Sequence, residues 1–310
     1  MANFLDLESL SPEQLRAILD AAAARKRARA EAEPQGKGAP DKDAPLSGHV
    51  LALLFEKPST RTRVSFSIAM LQLGGTSLDL GSTTLQMERG ESVDDTAKVL
   101  SRYVDAVAFR TGEHKRLEVL SRASEVPVIN GLSEREHPCQ VLADILTFEE
   151  HKGSIAGRTL SWIGDGQNNM ANSWIEASKK LGFKLKIGAP ERFAPANVAG
   201  ANNIELTTDP VDAVRESDCI MTDTWVSMSD DADSIEERRR LLAPYQINEA
   251  LMAKAPGALF MHCLPAHRGE EATDGVLDGG ASVVFDEVAN RVHAQKAILL
   301  YCFGRLDRPV

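Results

Sequence analysis

HVLALLFEKPSTRTRVSF, His49–Phe66, runs an apolar stretch straight into a cluster of cations and hydroxyls. His49–Phe55 is short and apolar, as a strand buried on both faces of a parallel sheet is. Ser59, Thr60, Arg61, Thr62, Arg63 and Ser65 follow it, and Thr62–Leu73 reads as a helix closed by Gly74-Gly75. In parallel α/β folds ligands sit at the C-terminal ends of strands, and this loop occupies such an end. A helix starting near Thr60 offers unpaired backbone N–H groups and the positive end of its dipole. That is an anion site, and phosphate suits it. The hydroxyls add neutral donors, and an arginine adds a bidentate, charge-assisted contact. The plain alternative is that Ser59 caps the helix and both arginines face solvent.

Outward from this stretch, strands and helices alternate. Ser11-Pro12-Glu13-Gln14 starts a helix that runs to about Ala30, and the Pro/Gly-rich segment 31–47 is a loop. Gly81–Ser92 is polar without periodicity and reads as a mobile loop; Ser92 then caps a helix to about Tyr103. Strand Ala106–Phe109, a helix near His114–Ala123, strand Val126–Ile129 and a helix over roughly Pro138–Glu150 complete a first series. A second series comprises strand Thr159–Ile163, a helix to Leu181, strand Lys184–Ile187, a helix near Pro210–Glu216 and strand Cys219–Asp223. A charged helical segment, Ile235–Leu242, strands Ala258–Cys263 and Val283–Phe285, and a helix over Glu287–Phe303 follow. The expected class is α/β: two domains, each a mainly parallel sheet flanked by helices. A length of 310 residues agrees with two domains.

Composition excludes several function classes. The formal net charge of -10 argues against a nucleic-acid or anionic-membrane partner, while leaving room for a local basic pocket. No run of about 20 apolar residues spans a membrane, and the start, MANFLDLESL, carries neither a secretory nor a transit pattern. Cys139, Cys219, Cys263 and Cys302 are far apart with no CxxC, which fits a reduced cytoplasm, and the seven histidines form no metal-ligand spacing. The expectation is a cytoplasmic protein with no metal and no organic cofactor.

FEKPSTRTR resembles the carbamoyl-phosphate signature of the aspartate/ornithine carbamoyltransferase superfamily. HPCQVLADILT (His137–Thr147), GDGQNNMANSW (Gly164–Trp174), DTWVSM (Asp223–Met228), HCLPAHRGEE (His262–Glu271) and VANRVHAQKA (Val288–Ala297) fit the same family in order, from about residue 49 to 300. The lysine in FEKPSTRT, DTWVSM and HCLP resemble its ornithine branch. The resemblance implies a carbamoyl-phosphate-binding domain over 1–150, with 287–310 packing back on it, and an ornithine-binding domain over 151–286, with the active site in the cleft between them. It implies that Ser59, Thr60, Arg61 and Thr62 hold the phosphate and that Arg110, Gln140 and Arg291 complete the ligand's surroundings. His137 would donate to the carbonyl oxygen. Gln86 would reach a neighbouring subunit's site in a homotrimer or a multiple of trimers. Asn169, Asp223, Ser227 and Met228 would hold the α-amino acid end of ornithine, with Cys263 and Leu264 beside its side-chain amine. Arg110, His137 and Cys263 would be the catalytic set. One departure stands out: Ser229 replaces a glycine usual in the ornithine branch, where glycine serves loop bending.

The implied reaction moves a carbamoyl group from carbamoyl phosphate to the δ-amine of L-ornithine, giving citrulline and phosphate, a step of arginine metabolism. Another amine or amino-acid acceptor is the main alternative. A nicotinamide dehydrogenase is a weaker one: WIGDGQNNMANS follows a strand and opens a helix, and Glu191 ends the next strand, yet Asn169 stands where the third glycine belongs. A noncatalytic binding protein would not need every charged position of the signature.

Overall fold

The computed structural model describes every residue except Pro34, 82–85, Asn197, Ala199, 227–231 and 308–310, and at 88–89 and 232–234 it describes the backbone alone. The chain divides into two compact units: Met1–Leu146 with Ala289–Val310, and Thr147–Val288.

The first unit opens with α1 (Pro12–Glu31), where Ser11 and Gln14 form a reciprocal capping box. Then come β1 (Val50–Phe55), α2 (Thr60–Gln72), β2 (Thr76–Gly81), α3 (Val93–Leu100), β3 (Ala106–Arg110), α4 (His114–Ala123), β4 (Val128–Leu132) and α5 (Pro138–Lys152). The sheet is wholly parallel in the order β2-β1-β3-β4. Its core packs Ala52, Leu54, Val107, Phe109, Leu117, Leu120 and Val128, from the sheet and α4.

The second unit contains β5 (Thr159–Ile163), α6 (Asn169–Leu181), β6 (Lys184–Gly188), β7 (Ile204–Thr207), α7 (Pro210–Val214), β8 (Cys219–Thr222), α8 (Ala232–Leu242), α9 (Glu249–Met252), β9 (Leu259–His262) and α10 (Asp274–Leu277). Its parallel sheet has the order β7-β6-β5-β8-β9. Trp162 and Trp174 are buried, as core residues of β5 and α6. The last helix, α11 (Val284–Cys302), carries Arg291.

Three expectations need correction. Val283–Phe285 is not a strand; Phe260 makes only an isolated bridge to Ser282, and α11 begins at Val284. The two edge strands β2 and β7 had been missed, because both are largely exposed and polar and lack an apolar run. The expected loop Gly81–Ser92 is partly ordered: Gln86–Arg89 makes one 3₁₀ turn, with Glu91 N–H donating to the Gln86 carbonyl at 3.1 Å.

Strand order decides where ligands sit. In the first sheet the order reverses between β1 and β3, so the loops leaving those strands diverge and open a crevice at their carboxyl ends. In the second sheet the reversal lies between β5 and β8. FEKPSTRTR follows β1, and GDGQNNMANSW and DTWVSM follow β5 and β8, at these reversals; HPCQVLADILT and HCLPAHRGEE each follow the next strand over, β4 and β9.

Candidate active site

Register puts Phe55 beside Arg110, so the end of β1 and the end of β3 are level. Glu56 N–H donates to the Arg110 carbonyl at 3.0 Å, which ties the loop after β1 to that edge. Ser59 is the N-cap of α2, yet its side chain makes no capping bond. Its hydroxyl oxygen instead accepts from Arg110 Nη1 at 3.1 Å. Thr62, buried in the first turn of α2, accepts from Arg291 Nη2 at 2.7 Å. A hydroxyl whose oxygen accepts from a guanidinium still has its own hydrogen to give. Ser59 and Thr62 therefore stand as donors fed by cations, beside the free N–H groups of a helix N-terminus.

The two arginines of this stretch have different surroundings. Arg61 is half-buried, and its charge bears on His137. Arg63 pairs with Asp79 at 3.3 Å, and its guanidinium lies 5.0 Å from the centroid of the Phe55 ring. Thr60 is exposed, one position ahead of Arg61. Gln86 is also exposed.

His137 and Gln140 come from the start of α5, immediately after β4. Both are buried. Burial, followed by the charges of Arg291, Arg110 and Arg61, holds the His137 imidazole well below its ordinary pKa. It is thus neutral at physiological pH, with one ring N–H to donate. Gln140 Nε2 donates to Asp144 Oδ1 at 2.7 Å, and Arg291 donates to Gln140 Oε1. Six of the expected residues, Ser59, Thr62, Arg110, His137, Gln140 and Arg291, thereby belong to one connected group of contacts and fields.

The second cluster lies at the reversal between β5 and β8. Gly164, at φ 119, allows the sharp exit from β5, and a Cβ there would meet Trp225 and Thr222 at 3.4 Å. Thr222 Oγ1 donates to the Ile163 carbonyl at 2.6 Å, lashing the two strand ends together. Asn168 caps α6, its side chain accepting from Ala171 N–H at 2.8 Å, and Asn169 is the first residue of that helix. Asn168 Nδ2 lies 3.5 Å from Asp223 Oδ2. Asp223 accepts from Thr224 N–H at 2.8 Å and from Cys263 Sγ at 3.2 Å. Burial pushes the Asp223 carboxyl up, against His262, which pulls it down. Ser227 and Met228, with Ser229, lie outside the described residues.

Cys263 and Leu264 follow β9 in an unusual turn. Leu264 has φ 56, and the Leu264–Pro265 peptide is cis. His262 holds this turn: its Nδ1 accepts from Leu264 N–H at 2.9 Å, and its Nε2 is 3.2 Å from Glu271 Oε1. The bond at Nδ1 fixes the tautomer, so Nε2 carries the hydrogen and donates to Glu271. Glu287 accepts from His262 N–H at 3.0 Å. Asp223, His262 and Cys263 bring their potential metal-ligand atoms within 4.8 Å of one another. Both His262 nitrogens are already engaged, so the imidazole has no lone pair left for an ion. His267, Glu270 and Glu271 form a second group within that distance.

Asp144, His262, Glu271 and Glu287 were not among the expected residues, although all four are buried: Asp144 holds Gln140, His262 holds Leu264, and the two glutamates hold His262. One had a visible signal: Gln140 and Asp144 are spaced i, i+4 on a helix. Arg238 was also missed. It donates to the Trp225 carbonyl at 2.6 Å, pairs with Asp165 and stacks over Phe193, joining the loops after β5 and β8.

Comparison with known proteins finds a family model on each half of the chain. Residues 2–150 match the model of the aspartate/ornithine carbamoyltransferase carbamoyl-P binding domain, and residues 156–302 that of the Asp/Orn binding domain. An ornithine carbamoyltransferase of Rhizorhabdus wittichii is 51% identical over 311 residues, covering 98% of this chain and 99% of that protein. One from Rhodopseudomonas palustris is 52% identical over 309 residues, with 97% of each covered. The solved ornithine carbamoyltransferase of Pyrococcus furiosus superposes with a TM-score of 0.89 at 45% identity, covering 96% of both chains. With family models matched over both halves and full-length relatives about half identical, the chain belongs to the aspartate/ornithine carbamoyltransferase family and groups within it with the ornithine carbamoyltransferases.

Proposed function

We propose that the protein transfers the carbamoyl group of carbamoyl phosphate to the δ-amine of L-ornithine, giving L-citrulline and phosphate. The observation that carries this reading is the convergence of Ser59, Thr62, Arg110, His137, Gln140 and Arg291 at the end of β1 and β3. Ser59, Thr60, Arg61 and Thr62 bind the phosphate, with Arg110 and Arg291 supplying further charge. The neutral His137 donates to the carbamoyl oxygen. Negative charge grows on that oxygen as the carbonyl carbon is attacked, so a preplaced donor favours the transition state over the ground state.

Ornithine occupies the second cluster. Asn169, Asp223, Ser227 and Met228 hold its α-amino acid end, and Cys263 and Leu264 adjoin its side-chain amine. Asp223 and Cys263 are in direct contact, so the two ends of this assignment share one carboxylate. Cys263 there is a hydrogen-bond donor to Asp223, a role in positioning, and the reaction needs no covalent enzyme intermediate. A free alkyl amine has a pKa of about 10.4 and attacks only when deprotonated. The departing phosphate is already bound and serves as acceptor for the amine proton. Much of the acceleration then comes from aligning two bound substrates.

Gln86, exposed on its 3₁₀ turn, suits a contribution to a neighbouring subunit's site in a homotrimer. The enzyme reads as cytoplasmic and as part of arginine metabolism, and no helix of the described residues is long and apolar enough to cross a membrane. The decisive experiment offers ornithine, putrescine and aspartate in turn under saturating carbamoyl phosphate. Citrulline from ornithine, at a rate far above either alternative product, is expected. Faster carbamoylation of putrescine or aspartate would overturn the assignment of the acceptor.

A further inference from the structure

Gln140 is 1% exposed, and Asp144, one turn further along the same face of α5, is 2% exposed. The Gln140 amide is gripped from both sides. Its Nε2 donates to Asp144 Oδ1 at 2.7 Å, and its Oε1 accepts from Arg291. A carboxylate only accepts, and a guanidinium only donates. These two neighbours therefore admit one orientation of the amide. Turned by half a revolution, the amide would set NH2 against the guanidinium and its oxygen against the carboxylate, two repulsive contacts among buried groups. In the observed orientation Oε1 has two lone pairs and Arg291 takes one. The cluster that Gln140 joins through Arg291 otherwise offers donors: Arg61, Arg110, the neutral imidazole of His137, and the hydroxyls of Ser59 and Thr62 whose oxygens already accept from arginines. Gln140 Oε1 is an acceptor set among donors.

We propose that Asp144 is a positioning residue for substrate selection: by holding the Gln140 amide in this orientation it keeps an acceptor facing the NH2 of carbamoyl phosphate, and so selects against acyl phosphates that carry a methyl group there. This rests on the reading of the first cluster as the carbamoyl-phosphate site. Acetyl phosphate has the same phosphate and the same carbonyl oxygen, and differs by CH3 in place of NH2. Donors to phosphate and carbonyl oxygen cannot separate the two ligands, whereas an acceptor beside the nitrogen separates them. A site built around such a hydrogen bond rejects the analogue that lacks it, because the buried polar group is then left unsatisfied.

The test measures equilibrium binding of carbamoyl phosphate, acetyl phosphate and inorganic phosphate by calorimetry to the full chain, as wild type, Asp144→Asn and Asp144→Leu. Asparagine can still turn an oxygen toward Gln140 Nε2, and leucine cannot. The preference for carbamoyl over acetyl phosphate should stay within about twofold of wild type in Asp144→Asn and fall by roughly tenfold in Asp144→Leu, with inorganic phosphate little changed in both. A purely structural role would weaken all three ligands together, and that result overturns the proposal. So does a wild-type preference retained in Asp144→Leu. Ratios of dissociation constants do not depend on the folded fraction, so a partly folded variant still reports. If leucine prevents folding altogether, Asp144→Ser, too short to reach Gln140 Nε2, takes its place with the same two outcomes. Failure of the wild type to bind carbamoyl phosphate would remove the site reading itself, and the proposal with it.

Discussion

The two clusters occupy the same place in two similar sheets and have opposite electrostatic character. At the end of β1 and β3, arginines surround a histidine that burial and cations keep neutral. At the end of β5 and β8, a carboxylate raised by burial meets a thiol and a histidine held by two further carboxylates. Topology sets where each site lies; the side chains set which charge it accepts. The first suits an anionic phosphate and the second the ammonium group of an amino acid. One backbone plan thus carries two clusters of opposite charge, as expected when function resides in residues grafted onto a common fold.

The sharpest way to break this contrast is to remove the single carboxylate that defines the second cluster. Asp223→Asn should lower kcat/KM for ornithine by roughly 2–5 kcal/mol of transition-state binding, the cost of stripping one partner from a buried charged contact. Its affinity for carbamoyl phosphate should stay near wild type, since no residue of the first cluster is touched. Steady-state kinetics and calorimetry on one preparation measure both. A loss shared equally by the two substrates would show that the clusters are not chemically separate.

Within the first cluster, Arg61 and Arg63 sharpen the comparison. Arg61→Ala should weaken carbamoyl-phosphate binding by roughly 1.5–3 kcal/mol, the range of a charge-assisted hydrogen bond. Arg63→Ala should leave that binding within about twofold. Arg63 instead serves the partly exposed Asp79 and the Phe55 ring, so its loss costs stability by no more than about 1 kcal/mol. Equal binding losses in the two variants would put Arg63 back in the phosphate site.

A third prediction concerns acid sensitivity. Burial, followed by the charges of Lys296, Lys26, Arg29 and Lys37, holds His293 of α11 at a pKa of about 3, against 6.5 in the unfolded chain. The unfolded state therefore binds the extra proton first, and stability falls as pH drops from about 6.5 toward 3, and is unaffected by this group above 6.5. His137 acts in the same direction, because burial depresses it too. Urea midpoints measured from pH 7 to 5 should fall less steeply in His293→Gln than in wild type, by up to about 1.4 kcal/mol per pH unit. Identical slopes would refute the assignment.

Much of this was legible in the chain because the signals are local. The capping box at Ser11–Gln14, the apolar run at Val50–Phe55 and the glycine exit after Ile163 each depend on neighbours a few residues away. The segment 31–47 shows where such reading stops. It is polar and rich in proline and glycine, yet Asp41 is buried there, 3.3 Å from Arg25, 3.0 Å from Arg29 and 2.5 Å from Lys296. A partner 255 positions away leaves no mark on local composition.

By itself, the sequence determined the α/β alternation, the phosphate-type loop after the first strand and the order of the motifs, because backbone propensity, periodicity and side-chain chemistry are local properties. Tertiary structure alone decided that Arg63 pairs with Asp79 and that Ser59 answers to Arg110 and not to its own helix. It also decided that Gln140 is held between Asp144 and Arg291, and that two distant glutamates fix His262. Each of these outcomes is a choice of hydrogen-bond partner inside a buried site, where only the folded arrangement of donors and acceptors says which pairs are within reach.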